Sequence, residues 1–434
     1  MRFLSHFSMA VALATAGTLA ITALPQEAQA AKKKKKKDES EIKISKEVRP
    51  AVAAIQAAMA SEDPATAKPL VEALLGQTLA PDDQFVAGQL AIQLGGTLKD
   101  TGLQEKGIIA SLDSGRTGAD RLPAFNFFAG NFAYGAERWA DAAQRFQAAY
   151  DLGYRANNIE PLLPETFFKR NMYPQGLAKW DEILKNANAS PTKAPESWYR
   201  LARDRSLASG DKVAYATWAA KWAAAYPSGD SWGDAVAASR RTTQSDSIQN
   251  LEILRFMKAT DALKTSRDYQ EFAEEAQRKN LFGEVVAVLE EGQEKGLISS
   301  SSPLISEVLA PAKREVSADR ASLPTTPSAV RGSGSSSVMM NFADVWLGYK
   351  GYDKAVAFYE AGLAKPGADL DRGNMGVGTA HAHAGDFDAA KASFAKVSGS
   401  RAPLAAMWQT WIGQQAAPAV PVPPTPPATP EPTS

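Results

Sequence analysis

Gly351-Tyr352-Asp353-Lys354-Ala355 returns further along the chain as Gly385-Asp386-Phe387-Asp388-Ala389-Ala390. Tyr352 and Phe387 stand 35 residues apart, and so do Ala355 and Ala390. A fixed period of that length predicts stacked helical pairs, each of which buries its open face on the next. The surroundings repeat too. In the first unit Ala343 and Trp346 precede the Gly351-Tyr352 turn, and Ala355, Tyr359 and Gly362 follow it. In the second, Gly378 and His381 precede the Gly385-Asp386-Phe387 turn, and Ala390, Phe394 and Val397 follow. Two helices cross closely only where a small residue admits a large side chain from its neighbour, so this alternation is a packing code.

The same order occurs earlier in Gly130, Trp139, Ala142, Phe146 and Ala149, and again in Tyr173, Gly176, Trp180 and Ile183. Pro164 takes the small-residue place in that last unit, where it starts or kinks a helix. Ala273, Ala276, Phe282, Val285, Leu289 and Gly292 form a further unit. The stretch from Trp198 to Pro227 is similar, with a register open by one or two residues, and between Ser45 and Ile109 the pattern is weaker.

In these motifs the chain resembles the tetratricopeptide repeat (TPR) family. The resemblance implies an all-α fold, an α-solenoid of antiparallel helix pairs forming a TPR-like superhelix. It also implies protein or peptide segments as partners, held along a concave groove lined by the first helix of each pair. Carried onto this sequence, the groove candidates are Asn131, Tyr134, Glu165, Phe168, Lys169, Arg267, Glu274, Arg278, Asp344, Leu347, Thr379 and His383. They are mixed in charge and lack the basic clamp with which some relatives hold a terminal carboxylate. The plain alternative for each is a solvated helix face.

Residues 1–30 read as a signal peptide. A modest apolar stretch leads to Ala28-Gln29-Ala30, small residues of the kind a signal peptidase cuts after, so cleavage is expected after Ala30 and the protein is expected in the periplasm or secreted. Residues 31–44 form a basic arm containing Lys32 to Lys37, read as a solvated spacer or as a contact for anionic envelope polymer or lipid headgroups. Without the signal and those lysines, 41 bases face 47 acids. A mildly acidic body with a basic arm is not the pattern of a nucleic-acid binder. There is no cysteine, so disulfides, thiolate metal sites and thiol catalysis are excluded.

From 45 to 416 the chain reads as helix after helix, with apolar residues at spacings of three and four. Residues 317–337, rich in Ser, Pro and Gly, predict a flexible linker or loop. It would divide a larger N-terminal array (45–316) from a small C-terminal array (338–416), a repeat pair with a capping helix. Residues 417–434 are proline-rich and predict an extended, disordered tail.

Chemistry beyond binding finds little support. After the signal only His381 and His383 remain, two residues apart and so on different sides of a helix. They cannot chelate one metal together; His381 is expected in the core and His383 exposed. Gly373-Asn374-Met375-Gly376-Val377-Gly378 follows no strand and has no phosphate-loop lysine, so its glycines are read as helix-crossing residues. Trp198, Tyr199, Trp218, Trp222, Tyr226 and Trp232 raise a second reading, a glycan- or peptidoglycan-binding surface, although Trp218 and Trp222 lie at a core spacing. No catalytic, cofactor-binding or metal-binding residue is assigned. The expectation is a non-catalytic scaffold or adaptor that holds a segment of another cell-envelope protein.

Overall fold

The computed structural model describes residues 42–190 and 193–416. The expected signal peptide, the lysine run and the proline-rich tail lie outside the described residues. Among the described residues every regular element is a helix, and the chain forms two compact units, one through Asn186 and one from Ala187.

The first unit holds α1 (Arg49–Ala60), α2 (Pro64–Leu75), α3 (Pro81–Leu98), α4 (Thr101–Asp113), α5 (Leu122–Gly135), α6 (Trp139–Asp151), α7 (Ile159–Phe168) and all but the last two residues of α8 (Tyr173–Asn188). Consecutive helices joined by short turns pack as antiparallel pairs, α1 with α2, α3 with α4 and α5 with α6. The second unit holds α9 (Glu196–Ala208), α10 (Lys212–Ala225), α11 (Gly229–Arg240), α12 (Ser247–Ala259), α13 (Ser266–Arg278) and α14 (Phe282–Glu294). It continues with α15 (Ala310–Ser322), α16 (Thr326–Gly332), α17 (Ser336–Gly348), α18 (Tyr352–Leu363), α19 (Leu370–Ala384), α20 (Phe387–Phe394) and α21 (Ala402–Ala416).

The helix starts are written locally. Asp100, Asp211 and Asp369 accept hydrogen bonds from backbone N–H groups in the first turns of α4, α10 and α19. Asp246 with Gln249, and Thr265 with Asp268, close reciprocal capping boxes at the starts of α12 and α13. Helix α19 stops at Gly385, whose φ of 83° is the left-handed conformation that ends a helix without a Cβ penalty.

The repeat register read from the sequence is the register of the packing. Ala142, Phe146 and Ala149 are buried on α6, Ala273, Ala276, Val285 and Leu289 on α13 and α14, and Ala355, Tyr359, Ala390 and Phe394 on α18 and α20. A Cβ on Gly130 of α5 would stand 2.6 Å from the Phe146 ring, and one on Gly378 of α19 would stand 2.7 Å from the Phe394 ring. These glycines are the slots into which the partner helix inserts an aromatic wedge. Pro164 sits inside α7, a helix of only 10 residues.

Residues 317–337 differ from the expected flexible linker: α15 and α16 run through most of them. Pro327, part of that proline-rich composition, occupies the first turn of α16, as Pro311 does that of α15, where a missing N–H costs nothing. Leu323 and Val330 are buried in one cluster with Met339, Phe342 and Phe358, so two apolar anchors outweigh the polar composition. Nor do the repeats after 338 form a separate array. They belong to the same unit as α9–α14, and the division of the chain falls between 186 and 187.

Gly130→Ala tests the wedge packing. Helix propensity alone would favour alanine by about 1 kcal/mol, but overpacking against a fixed aromatic ring costs about 1–3 kcal/mol. The urea midpoint of the first unit should fall for Gly130→Ala. It should hold or rise for Gly135→Ala, where an added Cβ meets nothing within 4 Å. A rise for Gly130→Ala would show that the slot is not closed.

Candidate functional site

Helix α12 carries Leu251, Leu254, Phe256 and Met257 to the core, and it also buries Gln249, Glu252 and Arg255. A helix buried nearly all round needs partners for its charges. They come from α14 and from the helices after residue 336. Arg255 donates from Nε to Glu284 on α14 at 2.8 Å and from Nη1 to Asp344 on α17 at 2.8 Å. Asp344 also accepts from Arg372 on α19 at 2.9 Å and from the Tyr359 hydroxyl on α18 at 2.6 Å. One helical turn earlier, Arg401, in the turn before α21, donates to Glu252 at 2.9 Å. Gln249 reaches Ser400 beside it. Phe256 fills the space between, its ring centroid 5.2 Å from Trp232 and 5.1 Å from Trp408 on α21. Met375 and Ala382 of α19 join the same apolar cluster. The face of α17, α19 and α21, the first helices of the C-terminal repeats, is therefore occupied by α12.

Three guanidiniums and three carboxylates balance in this seam, and their electrostatics follow from burial. Burial pushes the Glu252 carboxyl up to about 7, against the pull of Arg401. Burial likewise raises Glu284, against Arg255. At Asp344 burial works in the same direction, but Arg255 and Arg372 together outweigh it and hold the carboxyl below the usual range. Burial, and then the Asp344 charge, raise the Tyr359 phenol well above its ordinary value. Arg255 Nη2, Glu284 Oε2 and the indole nitrogens of Trp232 and Trp408 are buried without a hydrogen-bond partner among the described residues.

The sequence-derived candidates fall into distinct environments. Asp344, Leu347 and Thr379 are buried and closed to a partner: Asp344 is held by Arg255 and Arg372, Leu347 lies in the apolar cluster of α17 and α18, and Thr379 donates to Met375 O. Phe168 is buried too, its ring set against Gly176, so it is a wedge rather than a groove residue. In the first unit Tyr134 packs edge-on to Trp139 at 4.8 Å, and the exposed Lys169 stands 5.4 Å over the same indole. Asn131 and Glu165 are half-buried. On α13 Arg267 and Arg278 are exposed, with Arg278 paired to Glu275 at 2.6 Å, and the half-buried Glu274 accepts from Gln270. His383 is exposed but ringed by protein, stacked on Tyr352 at 5.9 Å with Trp408 edge-on. Crowding, and then the charges of Arg255 and Lys258, hold its imidazole below the usual range. His381 is half-buried, with Nδ1 3.5 Å from Asp386.

Sequence reasoning missed Glu252, Arg255, Glu284, Arg372 and Arg401. A signal existed in Leu251-Glu252-Ile253-Leu254-Arg255-Phe256, where two opposite charges interrupt an otherwise apolar run. Among the described residues no helix is long and apolar enough to cross a membrane, and no group of three or more His, Asp or Glu is placed to hold a metal ion.

No protein-family model matches the chain, and no curated protein matches it either. Among solved structures the chain is similar to the C-terminal part of a TPR repeat-containing protein from Cytophaga hutchinsonii, at 12% identity over 73% of this chain and 95% of that one, with a TM-score of 0.27. It is also similar to yeast Tom70 (11% identity, 85% and 88% of the two chains, TM-score 0.21) and to the TPR domain of P58(IPK) (13%, 78% and 99%, TM-score 0.19). At such scores the architecture rests on the chain's own packing.

Glu252 gives the second unit a pH dependence. A carboxyl that binds its proton more tightly when folded stabilises the fold while protonated. The contribution is full below the ordinary value of 4.5, falls as pH rises, and is gone above about 7. Asp344, depressed in the fold, acts in a different window, below its ordinary 3.8. Thermal midpoints measured from pH 4.5 to 7.5 should decline less steeply in Glu252→Gln than in the wild type. An unchanged slope would remove Glu252 as the group responsible.

Proposed function

We propose that this protein is an exported, non-catalytic scaffold that holds segments of other cell-envelope proteins on the first-helix faces of its repeats. The observation that carries the reading is α12 itself: a repeat face in this chain holds a helix through complementary charges and an aromatic anchor. Helix-in-groove recognition uses that chemistry between chains as well as within one. The face of α17, α19 and α21 is covered, so the partner surfaces are elsewhere. In the first unit they centre on Tyr134, Trp139 and Lys169, and in the second on Arg267, Glu274 and Arg278 of α13.

The glycan reading has less to rest on: of its six aromatic residues Tyr199, Trp218, Trp222 and Trp232 are buried and Trp198 and Tyr226 half-buried. Export rests on the reading of residues 1–30, and N-terminal sequencing of the mature protein should begin at Ala31. The six lysines that follow would then stand at the mature N-terminus, placed to touch anionic envelope polymer or headgroups.

Cross-linking of tagged protein in envelope extract, with mass spectrometry of the captured chains, identifies the partner. Lys169→Glu with Arg267→Glu and Arg278→Gln should lower its recovery. A rim charge contributes about 1 kcal/mol or less, so each change should cost up to about fivefold. Glutamine is chosen at 278 because a reversed charge would also repel Glu275. The thermal midpoint should not move. Undiminished capture by the triple variant would sink the assignment of these faces.

A further inference from the structure

Four flat rings come to the surface around the C-terminal repeats. Trp411, half-buried on α21, lies edge-on to the half-buried Phe387 at 6.3 Å and to the buried Trp408 at 5.5 Å. Trp408 meets the exposed His383 at 5.8 Å, and His383 stacks on the half-buried Tyr352 at 5.9 Å. Phe387 and Tyr352 hold the same place in consecutive repeats, at the starts of α20 and α18. Packing uses the inner faces of these rings and leaves their rims. Among the described residues neither the indole N–H of Trp411 nor the hydroxyl of Tyr352 has a hydrogen-bond partner, and neither is sealed from water. The strip therefore presents apolar faces edged by donors. A ligand suited to it brings apolar rings and backbone acceptors and no N–H that needs a partner. Proline-rich chain in the polyproline II conformation has those properties: its carbonyls are bare, proline has no N–H, and the conformation is largely pre-set.

Such a segment adjoins the strip. Helix α21 stops at Ala416, one and a half turns beyond Trp411, and residues 417–434 follow, outside the described residues. Among them Pro418, Pro421, Pro424, Pro427 and Pro430 recur at every third position, and Glu431 alone is charged. A polyproline II helix has three residues per turn and rises about 3.1 Å per residue, so these prolines share one edge at intervals of about 9 Å. The three steps from Trp411 to Tyr352, of 5.5, 5.8 and 5.9 Å, are spanned by about two such turns. The remaining residues suffice to turn the chain back from the end of α21.

We propose that residues 417–434 fold back as a polyproline II strap on the strip of Trp411, Phe387, His383 and Tyr352. The proline edge lies on the rings, and strap carbonyls accept from the Trp411 indole and the Tyr352 hydroxyl. Tethering presents the strap at an effective concentration on the order of millimolar, so a site that binds the free segment only weakly is still occupied. The strip is thus a proline-reading surface whose ligand is carried on the same chain. This stands apart from the scaffold reading, because the faces around Lys169 and Arg278 take no part in it.

The chain has no native cysteine, so Thr425→Cys, off the proline edge, carries a single nitroxide label in the full-length protein. Its spectrum should contain an immobilised fraction that does not change on tenfold dilution. Replacing the five prolines of the edge by glycine should make the label mobile without moving the thermal midpoint, because these positions lie beyond α21. A fluorescent peptide of residues 417–434 should then bind this glycine variant at least tenfold more tightly than the wild type. Adding Tyr352→Phe, which removes the hydroxyl and keeps the ring, should weaken that binding about fivefold. A label equally mobile with and without the prolines overturns the proposal. Immobilisation that fades on dilution also overturns it and gives the strip to the tail of a second copy. Equal peptide binding to wild type and glycine variant leaves the strip to another protein's segment, and binding indifferent to Tyr352→Phe removes the strip itself; either result overturns the strap.

Discussion

Arg255 has to be answered by Glu284 and Asp344 at once, and much of the second unit is arranged so that it is. A buried guanidinium without partners costs several kcal/mol, and a single carboxylate satisfies only part of its fork. One partner comes from the next repeat pair and the other from a helix some ninety residues further on, so the charge fixes α12, α14 and α17 to one another. Asp344 in turn fixes α18 and α19 through Tyr359 and Arg372. The network contributes little net stability compared with an apolar core of the same volume, because desolvation offsets the attraction. What it supplies is position.

Around this seam the repeats are held by a simpler rule. Small residues on one helix admit aromatic wedges from the next, as Gly130 admits Phe146 and Gly378 admits Phe394. That rule acts between neighbours in sequence and recurs in both units, with the roles exchanged where Phe168 of α7 fills the slot at Gly176 of α8. The ionic seam acts between distant repeats and is made once. The two together turn a local stacking pattern into a unit whose last helices pack against its middle. The surface expected to bind a partner is thereby given an internal occupant.

The legibility of the chain follows the same division. Ala355, Tyr359, Ala390 and Phe394 were readable as buried positions because their environment is set by residues within one period. The glycines of Gly373 to Gly378 were readable as crossing residues for that reason too. Asp344 reads as a groove residue on the first helix of its pair, but nothing nearby in sequence reveals that Arg255 covers it. Phe168 reads as a groove residue but packs as a wedge, because one residue of register decides between the two and the slot at Gly176 lies on the following helix. Residues 317–337 read as a linker because composition reports average polarity, whereas Leu323 and Val330 act as single anchors.

By itself the sequence determined the helical state, the capped helix starts, the repeat period and the small-and-large packing code. All of these depend on side chains within a few turns or one period of each other. Only the tertiary structure decided which repeat faces stay open, where the chain divides into units, and that α12 lies on the helices near the C-terminal end. Those outcomes depend on charges far apart in sequence, Arg255 with Asp344 and Glu252 with Arg401, and no local pattern encodes which distant partner a buried charge will find.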